Sequence, residues 1–150
     1  MASLVEFRGM VMDAEQRTGG CLCGAVRYAF DPSAVISTHH CHCTDCQKST
    51  GSGKATILFI VSDHLQIDGE LKYFSVTGTD GSEVSRGFCP VCGSPLLSQI
   101  IGLDAMKIVK AGSLDDSSWL KIDSNFWTTS SKPWSPADES IPCMPRNPEL

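Results

Sequence analysis

The sequence has little charge, and its charge is not predominantly basic. Charged residues make up 19% of the 150 residues, and the formal net charge is −5. This acidic balance disfavours general binding to nucleic acids or anionic membranes. The sequence also contains no apolar run near the roughly 20 residues that a helix needs to cross a bilayer. We therefore expect neither a nucleic acid nor a membrane as a partner.

A secretory signal is also missing from the first residues. They contain no basic start followed by an apolar stretch and a small-residue cleavage site. Glu6, Asp13 and Glu15 are unlike an acid-poor transit peptide. We expect a cytoplasmic protein with reduced thiols. We also expect residues 1–18 to be an N-terminal extension and residues 19–150 to form one zinc-binding catalytic domain.

No long amphipathic helix is present, and the pattern predicts an all-β domain of short antiparallel strands. Residues 25–30 alternate in polarity, and residues 55–61 form an apolar run of strand length. Asp68-Gly69 predicts a hairpin between strands at 65–67 and 70–76. Asp80-Gly81 predicts the next turn. Further predicted elements are a strand ending at residue 88, strands at 96–101 and 106–111, helical turns at 44–50 and 115–120, and an irregular proline-rich end.

Eight cysteines are many for such a chain, and their spacing favours a metal over disulfides. Two ligands one or two residues apart on a turn form half of a tetrahedral zinc site. Cys21-Leu22-Cys23 is one such half-site, and Cys89-Pro90-Val91-Cys92 is another. Together they predict a closed structural zinc site with four thiolates.

A third cluster, Cys41-His42-Cys43-Thr44-Asp45-Cys46, offers three thiolates within six residues. Three protein ligands leave one position for water or substrate, as in catalytic zinc sites. The main alternative is a second structural site closed by His42 or Cys143. Inert buried cysteines and a redox role for Cys43 and Cys46 are less favoured, because buried thiols need not cluster and no βαβ unit surrounds the pair.

Other polar and aromatic residues carry weaker signals. We interpret isolated histidines as solvated loop residues: His39, His40 and His64. We interpret three cations as solvated surface charges, although each could receive a substrate carboxylate: Lys48, Arg86 and Lys132. We interpret the tryptophans as packing residues, one of which could wall the third cluster: Trp119, Trp127 and Trp134.

Three motifs, in order along the chain, resemble the glutathione-dependent formaldehyde-activating enzyme family, which includes the centromere protein V domain. They are GGCLCGAVRY (19–28), CHCTDCQKSTGS (41–52) and FCPVCGSPL (88–96). The later segments GSLDD, NFWTTSSKPW and IPCMP are similar too. The resemblance covers about residues 19–145.

The resemblance implies a β-tent fold with two zinc ions. Cys21, Cys23, Cys89 and Cys92 would hold the structural ion, and Cys41, Cys43 and Cys46 the catalytic ion. It also implies the condensation of formaldehyde with glutathione to S-(hydroxymethyl)glutathione, an activity classed as a carbon–sulfur lyase for the reverse direction.

The sequence departs from the family pattern at two positions near the expected site. Gln47 stands where arginine is frequent, and Asn125 where histidine is common. These departures leave two alternatives: an enzyme of the same fold with a different small-molecule substrate, or a non-catalytic zinc-binding interaction module. Thr44, Asp45, Lys48 and Ser49 lie near enough in sequence to hydrogen-bond around the catalytic ion. None is assigned as a general base.

Overall fold

The computed structural model describes residues 15–148, and the backbone there is mostly short strands. Ten strands are found within these residues. They are β1 (Arg17–Gly20), β2 (Arg27–Phe30), β3 (Val35–Cys41), β4 (Ala55–Val61), β5 (Leu65–Asp68), β6 (Lys72–Thr77), β7 (Glu83–Phe88), β8 (Pro95–Ile100), β9 (Met106–Lys110) and β10 (Ser124–Phe126). One α-helix, α1 (Thr44–Thr50), and four single 3₁₀ turns (Pro32–Ala34, Ser62–His64, Ala111–Ser113, Thr128–Ser130) complete the described elements. The predicted all-β, β-tent class is confirmed.

The strands form two sheets. A three-stranded sheet has the order β1-β2-β5, and a seven-stranded sheet has the order β10-β3-β4-β9-β8-β7-β6. All pairs are antiparallel except β10 with β3, which is parallel. Most of the predicted N-terminal extension lies outside the described residues, and β1 begins at Arg17.

Several local predictions are confirmed. Strand β4 has the predicted bounds, and helix α1 occupies residues 44–50 as predicted. The Asp80-Gly81 turn joins β6 to β7, with Gly81 at φ 86° and the Gly78 N–H donating to the Ser82 carbonyl at 2.7 Å. Residues 131–148 contain no helix or strand, as the prolines indicated.

The predicted hairpin at Asp68-Gly69 is wrong. Strand β5 pairs with β2, whereas β6 pairs with β7 in the other sheet. Leu65 and Ile67 on β5 pack against the apolar core, and burying them there decides which strand β5 joins. Gly69 has φ 106° and lies so close to the Ala25 carbonyl that a Cβ would be 2.5 Å from its oxygen. The turn therefore directs the chain from one sheet to the other.

Two further differences concern regular structure. Residues 115–120 form a non-helical turn, because Asp116 accepts hydrogen bonds from the N–H and hydroxyl of Ser118 in place of a helical ladder. Strands β1, β3 and β10 were not predicted. Strand β10 is three residues long and is held by its parallel pairing with β3, which no local sequence pattern encodes.

The apolar residues form two clusters, one on each face of β4. Leu58 and Ile60 belong to the core that includes Tyr28 and Phe30 of the three-stranded sheet. Ile57 and Phe59 belong to a second cluster that includes Cys41, Cys46, Ile108 and Phe126. Both faces of β4 are buried, which explains its continuous apolar sequence. Within residues 15–148, no helix is long and apolar enough to cross a membrane.

Candidate functional site

The four-cysteine cluster comprises Cys21, Cys23, Cys89 and Cys92, whose Sγ atoms all lie within 4.8 Å of one another. The Sγ atoms of Cys21 and Cys23 are 3.6 Å apart, and those of Cys23 and Cys89 are 3.8 Å apart. Sulfurs about 2.3 Å from a tetrahedral zinc ion are about 3.8 Å from each other, whereas disulfide sulfurs are about 2.05 Å apart. The donor set therefore fits a tetrahedral metal ion and not a disulfide.

Two tight turns present these sulfurs, and their backbone amides point at them. The Val26 N–H donates to Cys21 Sγ at 3.2 Å, and the Val91 N–H donates to Cys89 Sγ at 3.4 Å. The hydroxyl and backbone N–H of Ser94 lower the pKa of Cys92 to about 5. Donors directed at sulfur favour the thiolate, which is the metal-binding form.

The four-cysteine cluster joins the two sheets. Cys21 and Cys23 follow β1 of the three-stranded sheet, whereas Cys89 and Cys92 lie between β7 and β8 of the seven-stranded sheet. Cys21 and Cys89 are buried members of the main apolar core. An ion held here would therefore cross-link elements that are far apart in sequence.

The three-cysteine cluster comprises Cys41, Cys43 and Cys46, whose Sγ atoms also lie within 4.8 Å of one another. Cys41 is the last residue of β3, and Cys43 is the N-cap of α1. The Cys43 Sγ accepts a hydrogen bond from the Cys46 N–H at 3.2 Å, so the cap that starts the helix also fixes the sulfurs. Contacts with the other two sulfurs lower the pKa of Cys46 and raise that of Cys41.

Neither residue proposed to close this cluster joins it. The His42 side chain is fully buried and points to Asn125, with Nε2 3.2 Å from the amide Oδ1. The exposed Cys143 Sγ accepts from the Asn125 amide nitrogen at 3.4 Å. Within residues 15–148, the metal-ligand atoms grouped at this site are only the three sulfurs.

The three-cysteine cluster lies at a cavity of about 930 Å³. One wall is apolar and is formed by side chains of several strands and the loop after β10: Ile57, Phe59, Ile108, Phe126 and Trp127. Trp127 thus walls the cavity, as one tryptophan was expected to. A cavity of this size accommodates a small organic molecule.

Comparisons with known proteins agree with this geometry. The model of the family described as glutathione-dependent formaldehyde-activating enzyme matches residues 16–130. The chain belongs to this family. No curated protein matches the chain. A crystal structure of a Rhodobacter sphaeroides protein, determined as a structural genomics target, is 21% identical with a TM-score of 0.51, covering 65% of this chain and 87% of that chain. This likeness concerns the fold alone.

Gln47 and Asn125, the two residues expected to depart from the family pattern, do not line the cavity. Gln47 donates from Nε2 to the carbonyls of His42, at 2.8 Å, and Ser130, at 2.9 Å. Asn125 is fully buried, and its Nδ2 donates to the Asp138 carbonyl at 2.9 Å. Gln47 therefore holds the backbone beside the cysteines in place, whereas Asn125 connects the His42 ring to the C-terminal segment.

Other predicted candidates are distributed differently. Thr44 and Asp45 line the cavity, whereas Lys48, Ser49 and Lys132 do not.

The interpretation of His39 and His40 as solvated loop residues is wrong, because both lie on β3. His39 stacks on Phe126 at 4.1 Å between ring centroids, and burial lowers its pKa. Burial lowers the pKa of His40 to about 4, and its Nδ1 is 2.8 Å from Thr56 Oγ1.

Two polar residues of the cavity were missed, and a third was assigned wrongly. Lys110 and Ser98 are buried at the cavity, and Arg86, interpreted as a surface charge, also lines it. Burial lowers the pKa of Lys110, and the Cys46 sulfur opposes that effect. The sequence signal that could have identified Lys110 is the alternation of β9. Met106, Ile108 and Lys110 lie on one face of the strand, so Lys110 shares the buried face of two apolar residues.

Proposed function

We propose that both cysteine clusters bind zinc and that the protein is a carbon–sulfur lyase-type enzyme resembling S-(hydroxymethyl)glutathione synthase. The four-cysteine cluster would hold a structural ion, and Cys41, Cys43 and Cys46 would hold a catalytic one. The observation that carries this proposal is the difference in access: the three-cysteine cluster borders the cavity of about 930 Å³ and has no fourth protein ligand among the described residues. The family name supports a thiol and an aldehyde as reactants.

A zinc ion at this cluster would supply a Lewis acid with one exchangeable position, for a thiolate or a carbonyl oxygen. The three cysteines would bind it, and Gln47 holds the loop that presents them. The apolar wall around Phe59 and Phe126 would limit the water that reaches the reacting groups. Buried donors on β7, β8 and β9 face the same space. No side chain is assigned here as a general base.

The two alternative functions make different demands on this site. An interaction module would need no access to the three-cysteine cluster, so the cavity beside that cluster favours an enzyme. A different small-molecule substrate would have to be selected by the cavity wall, because Gln47 and Asn125 lie outside it. The free thiols also suit the proposed cytoplasmic location.

The deciding experiment combines metal analysis with NMR exchange spectroscopy of glutathione and formaldehyde. These reactants combine spontaneously, so the measured quantity is the acceleration of exchange over the protein-free mixture. We expect two zinc ions per chain and an acceleration that Cys43→Ser abolishes. Two ions without acceleration would favour a different small-molecule substrate. One ion without acceleration would favour the interaction module.

A further inference from the structure

Two buried hydrogen-bond donors of the cavity lack an acceptor in the described part of the chain, and a buried lysine, Lys110, lines the same cavity. The Nε of Arg86 and the Oγ of Ser98 are buried and have no hydrogen-bond partner there. Ser98 is only 2% exposed, and Lys110 only 9%. The charged groups near Lys110 are Arg86 and the three cysteines, and no carboxylate within residues 15–148 forms an ion pair with it. A buried donor without a hydrogen bond costs free energy, so we expect a ligand to accept hydrogen bonds from these groups.

Strand register places these donors together. Arg86 on β7 is the cross-strand partner of Ser98 on β8, and Ser98 is the partner of Ile108 on β9. Lys110 lies two residues beyond Ile108 and is therefore a diagonal neighbour of Ser98. Diagonal neighbours on one face of a sheet are about 7–8 Å apart, within reach of long side chains. The three donors thus face one space beside the three-cysteine cluster.

The charge balance also favours an anion here. Three thiolates with a divalent ion carry one net negative charge, and Lys110 and Arg86 together exceed it by one positive charge. The acids that line the cavity, Asp45 and Asp80, are exposed at its rim. Asp80 already accepts hydrogen bonds from Ser82, at 2.9 Å from the backbone N–H. The buried end of the cavity is therefore positive and its rim is negative.

We propose that Lys110, Arg86 and Ser98 form an anion subsite that binds the carboxylate of the substrate while its thiol or carbonyl group reaches the three-cysteine cluster. This inference rests on the proposed function and deepens it, because it restricts the substrate to carboxylate-bearing thiols or carbonyl compounds. A carboxylate would accept hydrogen bonds from a guanidinium, an ammonium and a hydroxyl group. Hydrogen bonds between charged groups are stronger than those between neutral groups. The competing explanation is that the two cations only balance the charge of the metal–thiolate centre.

The test measures the dissociation constants of two matched thiols, mercaptopropionate and mercaptopropionamide, with zinc-loaded protein by isothermal titration calorimetry. They differ only at the end opposite the thiol, where the first has a charged carboxylate and the second a neutral amide. We expect the acid to bind at least tenfold more tightly than the amide. In Lys110→Met and in Arg86→Gln the ratio of the two dissociation constants should fall about tenfold, because the acid loses a charged partner whereas the neutral amide loses only a weaker hydrogen bond. Lys110→Arg should restore much of it.

Lys107→Met is the matched control, because Lys107 lies on the same strand and projects from the opposite face. It should leave the preference unchanged. Circular dichroism and zinc content verify that each variant is folded and loaded. If wild type binds acid and amide equally, or if the preference survives in both charge-removing variants, the subsite is wrong and the proposed function stands. If neither thiol binds to zinc-loaded protein, the subsite and the thiol chemistry of the proposed function both fail.

Discussion

The two cysteine clusters use the same ligand chemistry in different surroundings. The four-cysteine cluster lies between two sheets, and two of its residues belong to the main core. The three-cysteine cluster is built within six residues, from the end of β3 to the first turn of α1, and faces the cavity. The first cluster connects distant parts of the chain, and the second is largely local.

This difference separates stability from chemistry. A metal ion that joins two sheets contributes to folding, because the unfolded chain does not present the four sulfurs together. A metal ion held by a short segment beside a cavity contributes less to the fold and leaves a position for a ligand. Four substitutions test this division, in decreasing order of expected effect.

Replacing a ligand of the four-cysteine cluster should unfold the domain. Structural zinc supplies about 10 kcal/mol or more of apparent folding free energy, comparable with the whole stability of a typical domain, about 5–15 kcal/mol. We expect Cys89→Ser to lose the cooperative thermal transition seen by circular dichroism. Cys143→Ser is the control, because Cys143 is exposed and outside both clusters. An unchanged melting temperature for Cys89→Ser would contradict the structural role.

Replacing a ligand of the three-cysteine cluster should remove activity and keep the fold. We expect Cys43→Ser to lose one bound zinc ion and the acceleration of thiol–aldehyde exchange, because two sulfurs do not hold the ion in place. Atomic absorption gives the stoichiometry, and circular dichroism gives the fold. Loss of the folded state in Cys43→Ser would assign this cluster to the structural class.

Removing the side chain that holds the three-cysteine loop should weaken metal binding only there. Gln47→Ala deletes two hydrogen bonds to the carbonyls of His42 and Ser130. Loss of such supporting contacts typically costs 10- to 100-fold in metal affinity, and we expect about tenfold. Chelator competition should resolve one weakened ion and one unchanged ion. Ser49→Ala, which removes a longer bond of 3.3 Å to Cys46, is the control. Equal weakening of both ions would show that the clusters are not independent.

The ion pair between Arg27 and Asp115, beside the four-cysteine cluster, should have the smallest effect. Their side chains are 25% and 45% exposed, and such pairs contribute about 1 kcal/mol or less. The hydrogen bond from Arg27 holds the pKa of Asp115 below its usual value, so its contribution is present at neutral pH and is lost as the pH falls through the lowered pKa.

This contribution is measured as the difference in unfolding free energy between wild type and Asp115→Asn, over a pH series. The difference should be about 1 kcal/mol at most near pH 7. It should shrink below about pH 4, where the carboxyl is protonated in the unfolded chain, and disappear once the pH falls below the lowered pKa of the folded state. The exposed Asp104→Asn is the control. A difference that grows as the pH falls would reverse the sign and exclude the ion pair as its source.

Much of the candidate site follows from local sequence. Cysteines one or two residues apart must present their sulfurs together on a turn, and Cys43 caps a helix because a side-chain acceptor there satisfies a free backbone amide. The bounds of β4 also follow locally, because an apolar run of strand length has few other ways to be buried. These features depend on neighbours within a few residues.

Local sequence patterns therefore encode the all-β class, the two cysteine clusters and helix α1. Long-range packing places β5 beside β2, turns His42 toward Asn125, and brings Ser98 and Lys110 to the same cavity as Arg86. The physical reason is the range of the interactions. Strand pairing and the choice of buried face depend on contacts between residues far apart in sequence, and those contacts form only when the whole core packs.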